Sequence, residues 1–474
     1  MVQNQALIRI QDGPQTHPIS PYLYGSSWGN WMRLPPKKHV RELAPKTIRV
    51  GGILMSRYDW RTSRYSDPFQ KHKIAQQPSL LQFSRYCAEI DAEPVIQLNA
   101  MEWAPNKKDE FRRCLDVQDS LDLLDHLKRH GCLPKFVEID SEPFLWHLSH
   151  PDAMNRPVSG EEYFFIFQRY ASRIKAKYPR IQIMGPAIDS AWNGFNTLYP
   201  NDRYDTKKGY LLYFLELCKE WERKNKSRLL DILTIHVYPQ FRKDPFKKKI
   251  TKGGTENFLS ATQLWWNPGY KNRYDHQFPM GCEGGLLRTL LKDISRISPD
   301  VKRAVTEFNV DAFAGWWKIG YHPRLRPIYL ADIFGTLAQE DIFLSNHFHL
   351  YGVPNDGLSM MEQKKDGTGP LAFKKEYSIF ELYSNHFQGD YLASKNDLGE
   401  EGDKVRSHVC RGRDGKLGMI VINKTLKKRF NLRFSWRGKD YAAAIPIEPL
   451  NIHHYELERG KLTLLKKIWD RLHE

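Results

Sequence analysis

The sequence predicts an α/β chain: a (β/α)8 TIM barrel followed by a C-terminal β-sandwich domain. Three observations carry that prediction. Eight short apolar runs alternate with stretches of helical periodicity, the pattern of βα units feeding a parallel sheet. After about Glu376 the texture changes to closely spaced strand-like runs divided by turn residues. No G-x-G-x-x-G follows the first run, which argues against a nucleotide-binding doubly wound sheet.

The barrel strands are read in order from Leu23 (LYGSSW), Thr47 (TIRVGG), Pro94 (PVIQLN) and Lys135 (KFVEID). They continue from Ile181 (IQIMGPA), Asp231 (DILTIHVYP), Lys302 (KRAVTEFNV) and Leu344 (LSNHFHLYG). Amphipathic stretches such as EEYFFIFQRYASRIKAKYP from Glu161 and GYLLYFLELCKEWERKNK from Gly209 supply helices between them. The sandwich strands are HVCRGR, KLGMIVINK, RFNLRFSW, YAAAIPIEPL and HHYELER, with Asp414-Gly415 as a hairpin turn. The opening run NQALIRIQDG precedes the first barrel strand and is expected to join the sandwich. The expected organisation is therefore an N-terminal strand in 1–20, a TIM barrel in 21–375 and a sandwich in 376–474.

Composition narrows the function. At 474 residues, with 41% hydrophobic and 27% charged residues, the chain has the make-up of a globular protein of more than one domain. The net charge of +17 is spread along the chain. Its densest run, Lys247-Lys248-Lys249, carries no nucleic-acid signature beside it, so neither nucleic acid nor a membrane is an expected partner. No run approaches the length of a membrane span, and MVQNQALIRIQDG lacks the basic start and apolar core of a signal peptide. The expected location is therefore the cytoplasm, or the outside after removal of a signal. The six Cys form no C-x-x-C pair and no zinc pattern, and are expected to be buried free thiols. A surplus of 13 Trp and 23 Tyr suits either ring stacking on sugars or aromatic cores.

In a TIM barrel the chemistry sits at the C-terminal ends of the strands. Strand four ends in Asp140-Ser141-Glu142-Pro143 and strand seven in Thr306-Glu307-Phe308-Asn309. Read singly, each Glu is a solvated turn or edge residue. Together they place two carboxylates across one barrel mouth. Glycoside hydrolysis needs that arrangement: one carboxylic acid protonates the leaving oxygen while a carboxylate attacks the anomeric carbon, and retention needs the two ~5–5.5 Å apart. Arg49 or Arg57 is expected to keep the nucleophile ionised, and His236 and Tyr238 to hydrogen-bond it. Gln97 and Asn99 close strand three. This chemistry requires no cofactor or metal; a barrel of this kind has room for a structural cation, for which no ligand set is readable.

The segments around these residues resemble glycoside hydrolase family 44. VEIDSEPFLWHLSHP (Val137–Pro151) is similar to that family's acid/base segment LDNEPxLWxxTHP, and AVTEFNVD (Ala304–Asp311) to its nucleophile strand ITEYNY. ISPYLYGSSW, RVGGILMSRYDW, LLDILTIHVYPQ and QLWWNPGYKN resemble further family segments in the same order. The resemblance implies a retaining, endo-acting β-1,4-glucanase of cellulase or xyloglucanase type, with Glu142 as acid/base and Glu307 as nucleophile. It implies a polysaccharide or oligosaccharide substrate and a usually secreted protein; a monomer is expected. Arg49, Ser141, Trp146, His236, Tyr238, Trp265, Trp266 and Tyr270 become substrate-binding or supporting candidates, the four aromatics at 146, 265, 266 and 270 as stacking or cleft-lining rings. Three places differ from the family: Ser141 and Ile53 each stand where it has Asn, and AGWWKIGYHPRLRP follows the nucleophile strand in place of a Gly-rich loop. These differences bear on which polymer is cleaved. Competing readings are a retaining xylosidase, arabinofuranosidase or mannanase on the same barrel, and a non-catalytic glycan-binding barrel.

Overall fold

The computed structural model describes residues 4–71, 73–189, 209–238, 254–270, 286–310 and 323–469. Eight parallel strands close into a barrel: β1 (Tyr22–Trp28), β2 (Thr47–Val50), β3 (Glu93–Leu98), β4 (Phe136–Ile139), β5 (Gln182–Asp189), β6 (Ile232–Val237), β7 (Lys302–Phe308) and β8 (Leu344–His347). All eight fall on the apolar runs read from the sequence. Three helices between them begin on capping boxes, in which a side chain satisfies backbone N–H groups that the first turn leaves free. Ser79 with Gln82, Asp116 with Asp119, and Ser159 with Glu162 start Leu80–Glu89, Val117–Arg129 and Gly160–Lys177.

The barrel interior is layered. Its N-terminal end is plugged by Val95, Phe136, Met184, Ile232, Ala304 and Leu344. Toward the other end the inward side chains turn polar, with Arg49, Gln97, Glu138, Thr306 and Asn346 all buried. Unpaired charge is costly in such a place, so these groups must satisfy one another.

Two irregularities set side-chain direction at that end. β6 pairs with β7 as Ile235↔Val305 and then His236↔Glu307, leaving Thr306 as an extra residue. β5 pairs with β6 as Pro186↔Thr234 and then Ile188↔Ile235, leaving Ala187 extra. A bulge of this kind breaks the strict alternation of side chains between faces.

Beyond the barrel, the chain closes on helix Lys375–His386 and then enters a nine-stranded mixed sheet from Asp390. The strand Asn4–Gln11 inserts within it, parallel to Phe430–Trp436 and antiparallel to Asp390–Asn396. The sheet curls so that its edge strands Lys439–Ala442 and Lys461–Lys467 meet. Its own core is built by alternating residues such as Ala6, Ile8, Leu392, Val409, Met419, Leu432 and Tyr455. The helix Leu325–Gln339 joins the two units. There Asp332, wholly buried, accepts from Lys424 at 2.7 Å, Arg406 at 3.0 Å and His408 at 3.3 Å. Gly335 sits under the His408 ring, where a β-carbon would lie 2.1 Å from ring atoms.

Among the described residues, no helix is long and apolar enough to cross a membrane. Cys87, Cys218 and Cys410 are buried and free, whereas Cys114 is exposed and Cys132 partly so, correcting the expectation of uniform burial. Cys282 and the Lys247–Lys249 run lie outside the described residues.

Candidate active site

The strand ends of β2, β4, β6 and β7 converge on one cluster. Glu142 begins the turn Pro143–Leu145 with φ at 49°, and Asp140 before it has φ at 56°. Such left-handed backbone is costly for residues other than Gly and persists only where surroundings over-determine it. Here they do. The Glu142 N–H donates to the carbonyl of the bulged Ala187 at 3.1 Å. The Asp140 carboxylate accepts from Ser56 Oγ at 2.5 Å, from the Ser141 and Ala100 N–H groups at 2.8 and 2.7 Å, and from the Met101 N–H at 2.9 Å. Gln97 adds a longer donation at 3.3 Å. Burial nevertheless pushes the Asp140 carboxyl up to about 6, against those hydrogen bonds.

Glu307 is buried and receives Arg49 Nη1 on Oε1 at 2.7 Å and the Tyr238 hydroxyl on Oε2 at 2.9 Å. His236 Nδ1 lies 3.7 Å from Oε2. Burial alone would raise this carboxyl, but the charges of His236 and Arg49 and the two hydrogen bonds outweigh it and hold it below the usual range. Burial likewise works against charge on Arg49, and Glu138 and Glu307 together more than offset it. Tyr238 is kept a neutral donor by burial and then by the negative charge of Glu307.

Glu142 is more open, with a side chain 16% exposed, and its Oε1 lies 2.8 Å from His236 Nδ1. Burial depresses His236, but Glu307 and the contact with Glu142 carry it above its ordinary value. One oxygen of Glu142, one of Glu307 and a nitrogen of His236 all lie within 4.8 Å of one another. The two carboxylates thus sit close together in unlike surroundings: one clamped by donors and buried, the other reachable from solvent.

The glycines of RVGG have direct jobs. A β-carbon at Gly51 would lie 2.4 Å from the Arg49 guanidinium carbon. Gly52 has φ at 94° and faces Glu307 Oε1. Its N–H donates to Gln97 Oε1 at 2.6 Å.

Several sequence candidates fall elsewhere. Arg57 does not reach Glu307. It pairs with Asp152, donates to the Ser66 carbonyl at 2.8 Å, and lies over the Phe111 ring, tying the loops after β2, β3 and β4 together. His236 contacts Glu142 more closely than Glu307. Asn99 braces the loops through the Tyr58 and Trp103 carbonyls. Trp146 is fully buried, donates to the Ser141 carbonyl at 3.0 Å and packs edge-on to Tyr163. Trp265 is also fully buried and donates to the Tyr329 hydroxyl at 3.0 Å. Trp266 is buried under the Arg406 guanidinium. None of the three presents a free ring face, correcting the stacking expectation; Trp146 instead supports the turn that carries Glu142. Tyr270 is partly exposed, with its hydroxyl 3.3 Å from Ser260 Oγ. Ser141 Oγ meets Arg49 Nη2 only at 3.4 Å. Ile53 is partly exposed. Of the segment 314–327 after β7, residues 314–322 lie outside the described residues.

Two groups escaped the sequence reading. Glu138, wholly buried on β4, accepts from Arg49 Nε at 2.7 Å and from Thr306 Oγ1 at 2.9 Å. Its signal was a lone Glu inside the apolar run VEI. Trp31 and Phe348, beyond the ends of β1 and β8, are partly exposed with rings 6.2 Å apart, and Phe348 stands edge-on to Tyr238.

Comparison with known proteins agrees with the motifs. The model of glycoside hydrolase family 44 matches residues 92–241. Endoglucanase A of Paenibacillus lautus is 22% identical over 317 residues, covering 64% of this chain and 41% of that protein. The chain thus spans less than half the length of the curated relatives it matches. Among solved structures, CelM2, a bifunctional glucanase-xylanase from a metagenome library, aligns with a TM-score of 0.75 at 17% identity, covering 98% of this chain and 95% of that one. A Paenibacillus polymyxa xyloglucanase from family 44, solved with xyloglucan, aligns with a TM-score of 0.73 at 15% identity, covering 95% and 99%. These likenesses bear out the barrel with its β-domain and the resemblance to family 44.

Proposed function

We propose that this chain, a relative of glycoside hydrolase family 44, is a retaining glycoside hydrolase that cleaves β-1,4-linked glucan chains of cellulose or xyloglucan type internally. The observation that carries the reading is the Glu142–Glu307 pair, with oxygens within 4.8 Å. Inverting enzymes hold their carboxyl groups roughly 6.5–9.5 Å apart to admit a water. In the reading, Glu307 attacks the anomeric carbon as the bond to the leaving oxygen breaks, and that oxygen takes the proton of Glu142. Water then attacks the glycosyl–Glu307 ester, giving its proton to Glu142 and releasing Glu307 as carboxylate. Arg49 and Tyr238 hold Glu307 ionised and fixed in rotamer. His236 Nδ1, 2.8 Å from Glu142 Oε1, holds the Glu142 side chain in place.

The polymer assignment rests on kinship with proteins named endoglucanase and xyloglucanase. It is tested by hydrolysis of carboxymethylcellulose, xyloglucan, lichenan, xylan and mannan, with Glu307→Ala as control. Cleavage of a β-glucan is expected, with Glu307→Ala slower by at least about a thousandfold. Equal rates in the two proteins would refute the assigned mechanism. Proton NMR of the first-formed reducing end would show retained configuration; inversion would refute the double displacement. Preference for xylan, mannan or a small arabinofuranoside would move the specificity to one of the competing readings.

A further inference from the structure

Arg49 does not serve Glu307 alone. Its Nη1 meets Glu307 Oε1 at 2.7 Å, while its Nε and Nη2 both meet Glu138 Oε2 at 2.7 Å. The Arg49 and Glu138 side chains are wholly buried. The second oxygen of Glu138 accepts from Thr306 Oγ1. Thr306 directly precedes Glu307 and is the residue that the β7 bulge leaves over. One carboxylate therefore grips the far edge of the guanidinium and the strand that carries Glu307.

We infer that Glu138 is a positioning residue for the reaction: it fixes the edge of Arg49 that meets Glu307 and divides the guanidinium charge between two carboxylates, so that Glu307 stays ionised without being over-stabilised. This rests on the reading of Glu307 as nucleophile. A carboxylate that is stabilised too strongly by a single cation is a poor base and a poor attacking group. With Glu138 in place, Arg49 is half-committed elsewhere. Among the described residues, the other charged or titratable groups facing Glu307 are Glu142 from the end of β4 and His236 and Tyr238 from β6, with Asp189 of β5 adding negative charge beside Tyr238. None of these groups is hydrogen-bonded to Glu138, whose partners are Arg49 and Thr306. Glu138→Gln is close to isosteric: its amide oxygen can accept from Arg49, and its NH2 can donate to the Thr306 hydroxyl, which accepts as readily as it donates. Only a negative charge is removed.

The test measures Glu138→Gln in the full chain by two readouts. The first is the acid limb of kcat/KM on the polymer that the wild type cleaves. The second is carbon-13 NMR titration of the Glu307 carboxyl, identified by its absence in Glu307→Ala; it reads the inference even if no hydrolysis is found, which would sink the functional reading alone. Removing the competing charge should lower the Glu307 pKa by about one unit. The acid limb should move down by that amount, and kcat should fall several-fold with KM little changed. A limb and titration that stay in place, or move up, would overturn the inference and leave Glu138 a structural ion-pair partner. Should Glu138→Gln not fold, Thr306→Val serves instead. It keeps the charge on Glu138 but withdraws its second donor, so Glu138 draws harder on Arg49 and the Glu307 pKa should rise. An unmoved titration there would equally overturn the inference.

Discussion

Tyr238→Phe removes the hydroxyl that meets Glu307. The side chain is buried, so the change deletes a hydroxyl and leaves the ring in place, edge-on to Phe348. The loss that bears on Glu307 is the O–H donation to its Oε2 at 2.9 Å. A hydrogen bond to a charged group contributes about 1.5–3 kcal/mol, and one pKa unit corresponds to about 1.4 kcal/mol. Because this donor favours the ionised form, its removal should raise the Glu307 pKa by about 1–2 units. Attack requires the carboxylate, so the acid limb of kcat/KM should move up by the same amount. At a pH below the wild-type limb the variant should be about ten- to a hundredfold slower. The sign also appears in stability. Glu307 has a folded pKa below its unfolded value, so its contribution is present above the unfolded pKa and lost as pH falls through the folded one. Urea unfolding should therefore show Tyr238→Phe less stable than wild type at neutral pH, with the gap narrowing in acid. A wild-type acid limb in the variant would refute the reasoning, because the hydroxyl would then not be setting the charge state of Glu307.

Two further outcomes are expected. Glu142→Gln should lower kcat by about a hundred- to ten-thousandfold on polymer, where the leaving oxygen needs a proton, and far less on glycosides of strongly acidic phenols; equal losses on both would argue against an acid role. Lys424→Met should destabilise the fold by about 3 kcal/mol at neutral pH, because buried Asp332 would lose its 2.7 Å partner; denaturant titration at constant pH checks this, and a change within error would mean that Arg406 and His408 suffice.

The eight strands, their order and the candidate pair of carboxylates were legible in the sequence because each is written locally. A four- to eight-residue apolar run bounded by turn residues specifies a barrel strand, and in a barrel the strand ends are where polar groups face one another. Glu142 and Glu307 follow from counting strands. What lay beyond reach depended on contacts between residues far apart in the chain. Whether a Trp beside the site is buried or offers a face is decided by what packs over it, and for Trp146 and Trp265 that is Tyr163 and Phe308. Which carboxylate His236 touches depends on the slip in register that brings it level with Glu307 while Ala187 bulges toward Glu142. Arg49 and Arg57 look alike eight residues apart, yet one lies inside the barrel between two carboxylates and the other ties loops outside it. The sequence by itself determined the barrel and its two strand-end carboxylates, because periodicity and strand ends are local properties. Only the tertiary structure decided how Arg49 is shared between Glu138 and Glu307, because a buried charge takes its state from neighbours that folding alone brings within hydrogen-bonding distance.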